Sequence, residues 1–292
     1  SEAKRRLQMR LARQQQARAG VSKTETVTAA ADTSLTTAPA SPRAASSVAT
    51  VTPAADTEAL FTRAVDAAST DDKASLQALL QSGVDVRQRT AGGLTLLHVA
   101  AVQGSEHAVD VLLLAGRSPV DVVTEAAGSV ASAVPNTLSA ASTVEPGLTA
   151  LHFAAAFGQR EVLSLLLRRN AVADVRSSVH GRLPLHCAAL GPAAVLLGVQ
   201  VDAPLPSWAA VSSTSDLESS LLSALRLLLS AGSASTLLAA DAHGCTVLHY
   251  AARHRSLPFV SELLAAADTN VAQLVKATAA DGTSALHIAA QR

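Results

Sequence analysis

Apolar residues along much of this 292-residue chain return one helical turn apart. EALFTRAVDAA (58–68) and DKASLQALLQSGVDV (72–86) read as a pair of helices, and LESSLLSALRLLLS places another over Leu217–Ser230 with Asp216 as its N-cap. Asp71 and Asp72 are the one adjacent acidic pair, and capping the DKASLQALL helix suits them better than acid–base work. The period breaks down over residues 21–56, rich in Ala, Thr, Ser and Pro, which read as a linker. It breaks again in GSVASAVPNTLSAASTVE (128–145) and in GPAAVLLGVQVDAPLPSWAAVSS (191–213), which read as insertions into something otherwise regular. No apolar run reaches the ~18 residues that a membrane-crossing helix needs.

The regular element is a repeated pattern. GLTLLHVAAVQG (93–104), GLTALHFAAAFG (147–158), GRLPLHCAALG (181–191), GCTVLHYAARH (244–254) and GTSALHIAAQR (282–292) each place Leu-His at one offset from a glycine and two alanines after one variable residue. His152 and His186 are 34 residues apart. Wider spacings of 54 from His98 to His152, 63 from His186 to His249 and 38 from His249 to His287 leave room for the insertions.

On these motifs the chain resembles the ankyrin-repeat proteins, whose unit of ~33 residues is a β-turn finger followed by two antiparallel helices. The resemblance implies an all-α repeat solenoid over residues 57–292, with insertions near 128–145 and 191–216. Residues 57–86 then form an N-terminal unit without the signature, suited to capping the array. It further implies that the signature threonine caps the first helix and meets the histidine, which fastens to backbone of the neighbouring finger. The residues so placed are Thr95 with His98, Thr149 with His152, Thr246 with His249, and Ser284 with His287. His186 departs from the pattern, because Leu183 stands where the hydroxyl should be and takes that partner away, although Pro184 suits a helix start.

Ankyrin arrays bind protein partners on a concave face of finger tips and first helices. Carried onto this chain, that face offers Gln103, Phe157, His180, Arg182, His243, Arg253 and His254. Phe157 and the arginines are the candidate anchors, since aromatics and Arg dominate interface energetics. Phe157 has an equally good reading as a residue packed under a neighbouring insertion. Trp208, in PLPSWAAV, either plugs its loop onto the solenoid or is a contact that a partner covers.

Composition narrows the chemistry. Aromatics make up only 2 % of the chain, so Ala, Leu and Val must build the core, which favours close-packed helices. The formal charge is zero, yet residues 1–56 hold eight Lys/Arg against four Asp/Glu. Residues 1–20 read as a basic helical arm carrying Arg5, Arg6, Arg10 and Arg13, able to meet an acidic filament, to meet RNA phosphates, or to remain solvated. Two cysteines, Cys187 and Cys245, are too few for a disulfide framework and point to a reducing, cytoplasmic setting. The five signature histidines are spread along the repeat, too far apart to share one ion. His180 and His243 both precede a finger glycine, and with the cysteines they make an imaginable metal cluster, but no pair has ligand spacing within one element, so solvated finger tips are the expectation. Phosphate-binding, hydrolase-elbow, zinc-protease and kinase motifs are all absent.

These readings converge on a non-catalytic scaffold or adaptor in a larger, cytoskeletal assembly, with no cofactor and no membrane contact. Two alternatives stay open: the regulatory ankyrin portion of a longer enzyme or membrane protein, and a ribonucleoprotein component that touches RNA through its basic arm. Because Arg292 follows the first helix of an incomplete unit, the native protein is expected to continue or to be capped by a partner.

Overall fold

A computed structural model describes residues 53–90, 92–114, 118–125, 144–192, 214–232, 234–255 and 257–291, all within one unit spanning Thr50–Arg292. The basic arm, the linker to residue 52, and most of both insertions, Trp208 included, lie outside the described residues.

Helix α1 (Pro53–Ser69) begins four residues before the boundary expected at residue 57. Proline serves well as a helix's first residue, where its missing N–H is no loss. Helix α2 (Lys73–Gln81) is capped by Asp72, whose carboxylate accepts from Ala74 N and Ser75 N, each at 3.1 Å. Bonds from the Ser75 side chain and backbone hold the Asp72 carboxyl below its ordinary range. Asp71 does a different job. With its backbone at φ 57°, it turns toward the next unit, accepts from Ala108 N at 2.9 Å and meets His107 Nδ1 at 2.7 Å.

Four further helix pairs follow: α3 (Leu96–Gln103) with α4 (Glu106–Leu114), α5 (Ala150–Ala156) with α6 (Arg160–Arg168), α7 (Pro184–Leu190) with α8 (Thr214–Ala231), and, after a short α9 (Ala234–Leu238), α10 (Val247–His254) with α11 (Leu257–Ala267). A 3-10 turn (Asp268–Asn270), α12 (Val271–Lys276) and α13 (Ala285–Ala290) complete the described helices. The extra residues between His186 and His249 therefore divide between the 191–213 stretch, a long α8 and α9, while α12 absorbs those before His287. Helix α8 starts at Thr214, earlier than the apolar pattern suggests, so Asp216 lies in its first turn and is not its cap. There its charge still favours the helix dipole.

First helices pack in one row, α1–α3–α5–α7–α10–α13, and second helices in another, α2–α4–α6–α8–α11. This is the all-α solenoid. Alanine pairs let the first row close up, and Ala100, Ala101, Ala154, Ala155, Ala188 and Ala189 are fully buried. Phe153, Phe259, Leu76, Leu112, Leu163 and Leu166 fill the space between the rows. At the bend between the two helices of a unit, one side chain reaches back to the preceding unit: Gln159 Nε2 donates to Val102 O at 3.0 Å, and Arg255 Nε to Ala189 O at 2.7 Å. Each satisfies a carbonyl that its helix end leaves unpaired.

Candidate interaction surface

Each unit that carries the signature opens with a finger closed by a backbone bond across it, with the finger glycine donating back to the residue that makes that bond. Thr90 N donates to Leu94 O, Ser177 N to Arg182 O, Asp241 N to Cys245 O and Ala279 N to Thr283 O, all at 2.8–3.0 Å. Thr124 N donates likewise to Leu148 O, so the first insertion is carried on the finger itself. Successive fingers are joined: Ser178 N donates to Pro146 O, Ala242 N to His180 O, and Ala280 N to His243 O. The join requires close approach at Gly147, which sits at φ +84° and where a Cβ would lie 2.0 Å from Ser178 Oγ.

Behind the fingers stand the histidines. His98, His152, His186 and His249 take the third position of their helices, and each Nδ1 accepts the N–H of the capping residue: Thr95 N at 3.1 Å, Thr149 N at 3.0 Å, Leu183 N at 3.0 Å and Thr246 N at 3.1 Å. Accepting from an N–H leaves Nδ1 bare, so the ring proton is on Nε2 and the ring is neutral. That proton reaches the next finger, from His98 to Val122 O (3.1 Å) and Leu148 O (3.2 Å), from His152 to Arg182 O (3.1 Å) and from His186 to Ala239 O (3.1 Å). Burial pushes the pKa of each of these three down to about 4. Leu183 deprives His186 of a hydroxyl contact only; the backbone bonds at both ring nitrogens remain. His249 differs, because its Nε2 faces the Thr283 and Ala277 carbonyls without closing a hydrogen bond.

Several candidate contacts prove to be interior. Phe157 is 7 % exposed and belongs to the core, while most of both insertions lies outside the described residues. Arg182 is 2 % exposed, drawn inward by Glu145, whose carboxylate lies 3.5 Å from Nη1 and whose other oxygen accepts from His180 N at 3.0 Å. Every residue of α3 except Gln103, and every residue of α5 and α7, is buried. Other candidates are more open: His180 and Gln103 are half-buried, His243 and Arg253 are exposed, and beside His180 the apolar Val179 is 54 % exposed. His254 ends α10, and its side chain lies outside the described set. Cys187 is buried, which pushes its thiol up to about 12, and burial also raises that of half-buried Cys245, so neither is primed as a nucleophile. Among the described residues no three metal-ligating side chains converge, and no helix is long and apolar enough to cross a membrane.

Family models match where the units lie. One described as ankyrin repeats in three copies covers residues 122–200, and one for a single ankyrin repeat covers 92–125 and 243–273. The chain is an ankyrin-repeat protein. No curated protein matches it. Ankyrin repeats are typically non-catalytic modules that mediate protein–protein interactions.

Two devices of this ankyrin array escaped the sequence reading. Arg89 and Arg176 stand one residue before their fingers' closing bonds, and each staples two fingers: Arg89 Nη1 donates to Gly93 O (3.2 Å) and Val123 O (2.8 Å), Arg176 Nη1 to Gly181 O (3.0 Å) and Ala240 O (2.7 Å). Arg89 stands four residues before its finger glycine and Arg176 five, so spacing offered no common offset to read. Glu145 with Arg182 left none, because the pair forms only when the end of an insertion folds against the next finger.

Proposed function

We propose that this chain is a non-catalytic scaffold that places a protein partner within a larger cytoplasmic assembly of cytoskeletal type. The observation that carries the reading is the uneven exposure of the array. Where first helices α3, α5 and α7 are packed dry, their side chains are committed to the fold. Finger-tip residues Val179, His180 and His243, together with Arg253 on α10, stay open to solvent in whole or in part. Val179 beside the His180 and His243 imidazoles at the finger tips, with Arg253 on first helix α10, suits a partner surface with an apolar anchor and a carboxylate. Replacing Val179 with Asp and Arg253 with Glu together should remove the captured partner while the melting temperature stays within a few degrees of the parent. An unchanged partner set, with the variant folded, sinks the assignment of this surface.

The basic arm supports a second contact. Arg5, Arg6, Arg10 and Arg13 give residues 1–20 a positive character that favours an acidic filament or an RNA backbone. Titrating salt against binding of a 1–20 peptide to microtubule-like acidic polymer and to RNA separates the two; binding to neither at low salt removes this contact.

A further inference from the structure

His180 and His243 occupy the same place, one residue before the glycine, in consecutive fingers, and the solenoid brings them face to face. His243 Nε2 lies 3.3 Å from His180 Nδ1, the ring centroids are 5.4 Å apart, and the planes are inclined at 34°. The rings meet at the long end of hydrogen-bond distance. That separation matches the bite of two imidazoles on one tetrahedral ion, which at bonds of ~2.05 Å separates the nitrogens by about 3.3 Å.

We propose that His180 and His243 form a two-point site for a borderline divalent transition ion of the zinc class, clamping adjacent fingers. Neutral imidazole is the donor that such ions select over calcium or magnesium. Both backbones are held in place: His180 N donates to Glu145 Oε1 (3.0 Å) and its carbonyl accepts from Ala242 N (2.8 Å), while His243 N donates to Asp241 Oδ1 (2.9 Å) and its carbonyl accepts from Ala280 N (2.8 Å). Little rearrangement is then needed on binding, and exposed His243 leaves the way in open. Among the described residues no third histidine, cysteine or carboxylate joins the pair, so water fills the remaining positions in the isolated chain. The site shares His180 and His243 with the partner surface proposed above, but ion binding by the isolated chain needs no partner.

Calorimetric titration of the full chain with zinc chloride in a non-chelating buffer at pH 7.5 tests it. One ion should bind per chain, raise the melting temperature, and release that gain on adding EDTA. His180→Gln and His243→Gln should each weaken binding by at least about tenfold, whereas His107→Gln and Cys245→Ser should leave it intact. No binding by the parent chain at millimolar zinc overturns the proposal. So does affinity that survives either imidazole substitution, or that falls with Cys245→Ser, since the ion would then sit elsewhere.

Discussion

Thr124 N–H donates to the Leu148 carbonyl at 2.8 Å, the bond that Thr90 makes to Leu94, although the first pair is separated by 24 residues and the second by four. A finger thus tolerates a long excursion because its ends are fixed before and after it: Thr124 Oγ1 also binds Glu145 O (2.7 Å) and Leu148 N (3.0 Å). Loop-closure cost grows only logarithmically with length. Deleting residues 128–143 should therefore leave the melt neutral or stabilise the array by up to about 1 kcal/mol. Extending the deletion through Glu145 is expected to be different, because Arg182 would remain buried without its counter-charge at a cost of about 3 to 5 kcal/mol. Equal urea midpoints for the two deletions would show that the ion pair contributes nothing.

Gly147 and Gly282 share a left-handed backbone, at φ +84° and +82°, but only Gly147 has a neighbour in the way. A Cβ there would lie 2.5 Å from Ser178 N as well as 2.0 Å from its Oγ, whereas at Gly282 nothing lies within 4 Å. Gly282→Ala should cost about 1 kcal/mol from backbone strain alone. Gly147→Ala must also push two fingers apart, and a loss of about 2 to 4 kcal/mol is anticipated. Thermal melts that rank the two variants the other way contradict the finger-to-finger contact.

His152→Ala removes the acceptor for Thr149 N and the donor to Arg182 O in a fully buried setting. Stability should fall by about 1 to 3 kcal/mol, and any lost partner binding should track unfolding. Binding that vanishes with an unchanged melt would make His152 a contact and not a fastener.

Acid should loosen the array above the range where carboxylates titrate. Unfolded imidazoles take up protons below about pH 6.5, while folded His98, His152 and His186, lowered by burial to about 4, refuse them. The unfolded state therefore binds more protons between pH 6.5 and 4, so stability is complete above that window and drains away as the pH falls through it. Each ring contributes up to about 1.4 kcal/mol per pH unit. A urea midpoint that holds constant from pH 7.5 to 5 would exclude neutral buried rings.

The repeat itself was legible because its information is short-range. Glycine, capping threonine, histidine and the alanine pair all act within one finger and the first turn of one helix, so their spacing declared the unit, and the resemblance of that unit to ankyrin repeats implied its all-helical build. Asp72 as a cap is local in the same sense. What lay beyond the sequence was whatever depends on a neighbour one unit away. Asp71 could not be told from Asp72 until α4 was seen beside it, Phe157 read equally well as anchor or as packed residue until its burial was seen, and Arg182 looks like free surface until Glu145 withdraws it. His180 and His243, 63 residues apart, became a pair only when two fingers were stacked in register. A solenoid's period is written in contacts between near residues, but its exposed surface is the remainder left after every unit has packed on the next, and only the tertiary structure carries out that packing.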